Sequence, residues 1–123
     1  MVDVRLDFKS MCAKFDVTPR TLRYYEYIEL LQPDKVGRNR FFTPREVARM
    51  KLILLGRRFG FSLEEIRQWL AIYQEQGAQA QIDAWTEMAD RQLVVLNEQR
   101  AKLDETIQSL QELRNEYPRK DKK

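Results

Sequence analysis

The chain has 123 residues, 43% hydrophobic and 33% charged, with 22 Lys and Arg against 19 Asp and Glu, one cysteine and no histidine. This composition excludes a disordered chain or a fibre, and the length allows one small domain with an appendage rather than two full domains. The lone Cys12 makes no intramolecular disulfide, the missing histidines remove the usual zinc or copper ligand set, and no apolar run approaches the roughly 18 to 20 residues of a membrane span.

In chain order, a first helix is predicted over about Phe8–Phe15. Asp7 can cap its free amides, and Phe8, Met11, Cys12 and Phe15 recur at three- and four-residue spacing, which predicts one buried face. On that face Cys12 reads as a small buried apolar residue rather than a sensing thiol. Thr18 is then a good N-cap, and Pro19 suits the first helical position because its missing N–H would have no intrahelical acceptor anyway. A second helix is predicted from there to about Tyr27.

Two short helices with a turn of about three residues fit a helix-turn-helix, although an αα-hairpin with no DNA role has the same outline. The second helix adds chemistry to the spacing. Arg20, Arg23, Tyr24 and Tyr27 fall at i, i+3, i+4 and i+7 and share one face, while Leu22 and Tyr25 point elsewhere. Arginine reaches guanine edges or phosphates and tyrosine donates to phosphate oxygens, so this face suits a groove-reading helix; the bland alternative is a solvated cationic face.

Between Leu31 and Thr43, turn formers lead into a basic and then an aromatic run, which predicts a β-ribbon or wing. Lys35, Arg38 and Arg40 would stand near its turn and meet the sugar-phosphate backbone, while Phe41 or Phe42 anchors its base to the core. Capping boxes at Thr43-Pro44-Arg45-Glu46 and Ser62-Leu63-Glu64-Glu65 start two further helices, the first tolerating Gly56 and ending at Gly60. Val47, Ile53, Leu54, Phe59, Leu63, Ile66 and Leu70 are read as core.

After a break at Gly77, one helical pattern runs to about Tyr117, some 60 Å at about 1.5 Å per residue. Ile82, Ala89, Leu96, Leu103, Leu110 and Tyr117 recur every seven residues, and a second register holds Thr86, Leu93, Arg100, Ile107 and Arg114. A narrow stripe on so long a helix needs a partner helix, and homodimerisation is the economical answer. Arg100 and Arg114 break a regular parallel seam, leaving antiparallel or locally irregular pairing open. Trp85, Met88 and Val95 lie off the stripe and are expected against the partner's head.

Charge separates the two ends: residues 1–70 hold 14 Lys and Arg against 9 Asp and Glu, whereas residues 71–118 hold 4 against 9. A basic front suits an acidic partner, and the basic residues after Pro118 read as a solvated tail. With no histidine, no glycine-rich phosphate loop and no nucleophile beside a base, an enzyme is not expected.

The segment Thr21-Leu22-Arg23-Tyr24-Tyr25-Glu26, followed by Leu30-Leu31-Gln32-Pro33, Gly37-Arg38-Asn39-Arg40-Phe41-Phe42 and Gly60-Phe61-Ser62-Leu63-Glu64-Glu65-Ile66, resembles the MerR family of bacterial regulators in family order. The resemblance implies a mainly helical, all-α fold: a winged helix-turn-helix head over residues 1–76, an antiparallel coiled-coil dimerisation helix over 77–117 and a basic tail over 118–123. It implies DNA contacts from Thr18, Pro19, Arg20, Thr21, Arg23, Tyr24 and Tyr27 in the major groove, and from Lys35, Arg38, Asn39, Arg40 and Phe41 on the wing. Dimer contacts are expected from Ile82, Trp85, Ala89, Leu93, Leu96, Leu103, Ile107 and Leu110.

The function so implied is a cytoplasmic transcriptional regulator, binding a pseudo-palindromic site in double-stranded DNA as a homodimer. It would bend and untwist the promoter so that RNA polymerase engages it, without a cofactor or metal and without a membrane. Where the family usually has glycine, this chain has Asp16 and Glu29, residues that enter the left-handed conformation less freely. Metal-sensing relatives carry cysteines beyond the long helix and drug-sensing relatives a ligand domain; the six residues after Tyr117 hold neither, and no effector is assigned. An excisionase-like DNA bender and a protein-interaction adaptor are the competing readings.

Overall fold

Residues 5–119 are described in the computed structural model, and the chain divides into two units between Ala71 and Ile72. The head begins with β1 (Leu6–Asp7), α1 (Phe8–Phe15) and α2 (Pro19–Tyr27), continues through β2 (Asp34–Val36), β3 (Asn39–Phe42) and α3 (Pro44–Phe59), and enters α4 (Leu63–Gln76), inside which the division falls. The second unit is dominated by α5 (Ala78–Glu116). The fold is mainly helical with a small winged sheet, as expected. Of the basic tail, residues from Lys120 onward lie outside the described residues.

Local chemistry starts each head helix. Asp7 accepts the Ser10 N–H at 2.7 Å, and hydrogen bonding to Ser10 holds its carboxyl below the usual aspartate range. Thr18 accepts the Thr21 N–H at 3.1 Å with Pro19 opening the helix, and Ser62 and Glu65 exchange both bonds of a capping box, at 3.1 and 3.2 Å. The box at Thr43 is only half made: Thr43 accepts the Glu46 N–H, but the Glu46 carboxylate accepts from the Gln32 amide at 3.1 Å instead.

The sheet includes a strand that the sequence pattern does not predict. Its order is β1-β3-β2, all antiparallel, with Leu6 opposite Phe42, Asp7 opposite Phe41 and Lys35 opposite Arg40. At two residues, β1 is too short to show the alternation that reveals a longer strand. Gly37, at φ 62°, makes the turn between β2 and β3.

The core gathers Met11, Leu22, Leu30, Leu31, Phe42, Met50, Ile53, Ile66 and Leu70. Of the four α1 positions expected to be buried, only Met11 is fully so. Phe8, Cys12 and Phe15 are half-buried, because two turns of helix offer one residue to the centre and the rest to its rim. Partial burial still raises the Cys12 thiol pKa. Phe59 is another correction: the left-handed turn at Gly60 leaves it exposed at the helix end and carries Phe61 inward. Gly56 is tolerated inside α3 and packs closely there, since a Cβ would stand 2.8 Å from Ile66 Cδ1 and would force that side chain to shift.

The 39-residue α5 has no buried residue. Ile82, Leu93, Leu96, Leu103, Ile107 and Leu110 are exposed along it, while Trp85, Met88 and Ala89 are half-buried. Among the described residues no helix is long and apolar enough to cross a membrane.

Candidate nucleic-acid interface

The face predicted on α2 is present and open. Arg20 and Arg23 are exposed, Tyr24 is 50% and Tyr27 83% exposed, while Leu22 and Tyr25 turn into the core. Burial of those two fixes the rotation of the helix, which is what presents the polar face outward. Arg20 makes no ion pair or hydrogen bond among the described residues, so its five N–H donors are available. Arg23 lies over the Phe8 ring at 5.4 Å, a cation–π contact that orients the guanidinium. Thr18 and Thr21 bond to each other at 3.0 Å, and Pro19 occupies the first turn, so these three shape the helix start.

The wing is joined to α2 through Glu26. The Nε of Arg40 lies 2.9 Å from Glu26 Oε1 and 2.8 Å from Oε2, and the Lys35 ammonium is 3.5 Å from the same carboxylate. The Glu26 side chain is only 14% exposed, which limits screening of the pair. Two cations assigned by sequence to the DNA backbone are thus engaged with the protein, while Arg38 and Asn39 stand exposed at the hairpin turn. Phe42, not Phe41, anchors the wing; Phe41 is half-buried. Sequence reasoning missed Glu26, the single acid in an otherwise cationic and aromatic segment, and that sign contrast was the available signal.

The turn after α2 is held from outside. Glu29 adopts φ 63° and Asp16, before α2, φ 51°, so both sites where the family places glycine take the left-handed conformation here without it. Around Glu29, Arg67 donates to the Ile28 carbonyl at 3.3 Å, Arg49 to the Leu30 carbonyl, and the Gln32 amide to Glu46, itself 7% exposed. Burial lowers the Arg49 pKa, opposed by the charge of Glu46. Donors and acceptors from α3 and α4 thereby tie down the exit of α2, and no cluster of potential metal ligands occurs among the described residues.

Residues 8–71 match the family described as MerR HTH family regulatory protein, and residues 47–113 match MerR, DNA binding. The chain is 35% identical to an uncharacterized HTH-type transcriptional regulator of Pseudomonas aeruginosa over 104 residues, covering 80% of this chain and 77% of that protein. It is 33% identical to the HTH-type transcriptional regulator HmrR of Rhizobium leguminosarum over 94 residues, covering 72% and 73%. In fold it is similar to a MerR family transcriptional regulator from Bacillus cereus, with TM-score 0.77, 22% identity and coverage of 98% of this chain and 87% of that one. It is also similar to HiNmlR, a MerR family regulator lacking the sensor domain and bound to promoter DNA, with TM-score 0.65, 21% identity and coverage of 85% and 80%.

Proposed function

The chain belongs to the MerR family, as a DNA-binding transcriptional regulator and not an enzyme, and from that premise we propose that it works in the cytoplasm as a homodimer on a pseudo-palindromic promoter site. One observation carries the reading most: the open face of Arg20, Arg23, Tyr24 and Tyr27 stands on a helix whose wing is ion-paired to it through Glu26. A groove-reading helix and a backbone-gripping wing must keep a set spacing to meet adjacent parts of one duplex, and Glu26 holds that spacing.

Roles follow from which donors are free. Arg20, without a partner, reads base edges; Arg23, steadied over Phe8, and Tyr24 and Tyr27 meet phosphates or base edges beside it. Thr18, Pro19 and Thr21 set the helix start against the backbone. On the wing, Arg38 and Asn39 touch the sugar-phosphate chain, Phe41 flanks them, and Arg40 and Lys35 act chiefly as positioning residues through Glu26. Ile82, Ala89, Leu93, Leu96, Leu103, Ile107 and Leu110 form the dimer seam on α5, paired antiparallel, and Trp85, off that stripe, adds a dimer contact against the partner's head.

Two heads fixed on one seam impose a separation on their half-sites. A promoter that must bend and untwist to match it presents its elements differently to RNA polymerase, so regulation works through DNA deformation. Selection of genome fragments by the purified chain at physiological salt tests the whole reading: recovery of an inverted repeat bound by one dimer is expected, and failure to enrich any sequence would overturn it. On the selected site, Arg20→Ala should change base preference, whereas Arg38→Ala should weaken all sequences alike and reduce the salt slope by about 0.9 for each phosphate no longer neutralised.

A further inference from the structure

Beside the wing, the sheet has an open edge. β1 stops at Asp7, opposite Phe41, where the chain turns into α1, so β3 at Asn39 and Arg40 is paired with β2 on one side and, among the described residues, with no strand on the other. Beside this edge lies a cleft of about 450 Å³ lined by Phe8 and Phe41, by Asp7 and Lys9, and by the wing residues 38–40. Its charges are unequally available. Arg40 is bound to Glu26, and the Asp7 carboxylate is turned to the Ser10 amide at 2.7 Å. Lys9 and Arg38 are exposed and form neither an ion pair nor a hydrogen bond among the described residues.

Two unpaired cations in a cleft with two apolar lining residues match a sugar-phosphate unit, whose ring packs on carbon while its oxygens take the charge. The position of the cleft identifies the source of that unit. Phe8, in the lining, is the ring under Arg23 of the α2 face at 5.4 Å, and Arg38 is the tip of the wing, so the cleft is continuous with both parts of the proposed DNA surface. We propose that the cleft takes one sugar-phosphate step of bound DNA, with Lys9 and Arg38 as its phosphate-binding pair. This adds α1, through Lys9, to the interface, and it rests on the DNA-binding reading above.

The test uses the full chain and a short duplex carrying the selected site, titrated across a range of salt concentrations, with Lys9→Gln and Lys9→Arg compared with the unaltered protein. Lys9→Gln should bind every sequence about fivefold more weakly per protomer near 0.15 M salt, with a salt slope smaller by about 0.9 per protomer, and Lys9→Arg should restore both. Ethylation of one backbone phosphate per half-site should impair binding of the unaltered chain and impair Lys9→Gln less, since only the Arg38 contact remains there to be lost; equal losses in both would overturn the inference. Normal binding with an unchanged slope in Lys9→Gln would overturn this inference alone; a chain that binds no duplex at all would overturn the DNA-binding reading and this one with it.

Discussion

From Met11 to Leu70 the head closes a core around Leu22, Phe42, Met50 and Ile53, whereas α5, with leucines, valines and isoleucines of the same kind, leaves them exposed. The head crosses short helices over a small sheet, so apolar faces meet within one chain. A single helix of 39 residues, about 58 Å at ~1.5 Å per residue, has no second element of its length to meet. The head therefore draws stability from its own packing, whereas on the homodimer reading proposed above the helix draws it from a second copy.

The largest effect should come from Leu103→Asp on α5. In a symmetric pair the change occurs twice, and losing burial of two leucines, at about 1.5–3 kcal/mol each, should weaken the dimer on the order of a thousandfold in sedimentation, with thermal unfolding of the head unaltered. An unchanged dimer would end the seam assignment. Phe42→Ala should do the reverse, destabilising the head by about 3–5 kcal/mol in urea while the helix still associates.

Within the head, Glu26→Gln sets two effects against each other. Removing a negative charge from the proposed DNA-binding surface should by itself tighten binding, whereas freeing the wing from its anchor should loosen it. A fall of about tenfold in affinity is expected, on the scale of one charge-assisted hydrogen bond; a rise would show that Glu26 is merely an unfavourable charge. Smaller is Glu29→Gly, which relieves a left-handed residue and should raise head stability by about 0.5–1 kcal/mol in denaturant titration.

Asp7 gives the smallest change. Its carboxyl is held below the ordinary aspartate value of 3.8 by the Ser10 bonds, so its contribution to head stability is present above that pH and is lost as pH falls through the lower folded value. Asp7→Asn keeps an N-cap and should flatten this part of the acid titration, followed by circular dichroism; a curve identical to that of the unaltered chain would show that the cap charge does not contribute.

Much of the candidate site was legible. The spacing of Arg20, Arg23, Tyr24 and Tyr27 depends on the helical repeat alone, and all four are exposed together because Leu22 and Tyr25 on the other side are buried. The wing's cations were legible as residues but not as partners: whether Arg40 faces solvent or Glu26 depends on how the fold places the wing relative to α2. Lys9, at the start of α1, shows no pattern in sequence that ties it to Arg38; the open edge of β3 brings them to one cleft.

Neighbouring residues were enough to set the helix starts at Asp7, Thr18 and Ser62 and the stops at Gly60 and Gly77, because capping bonds join atoms about three residues apart and left-handed turns depend on the residue that makes them. Other pairings arose only from packing. Glu46 left its own capping box for Gln32, Arg40 turned to Glu26, and Arg67 reached the Ile28 carbonyl, across separations of 14, 14 and 39 residues. A polar group half withdrawn from water takes whichever partner the fold brings within reach, and that partner exists only after the helices and the sheet have packed.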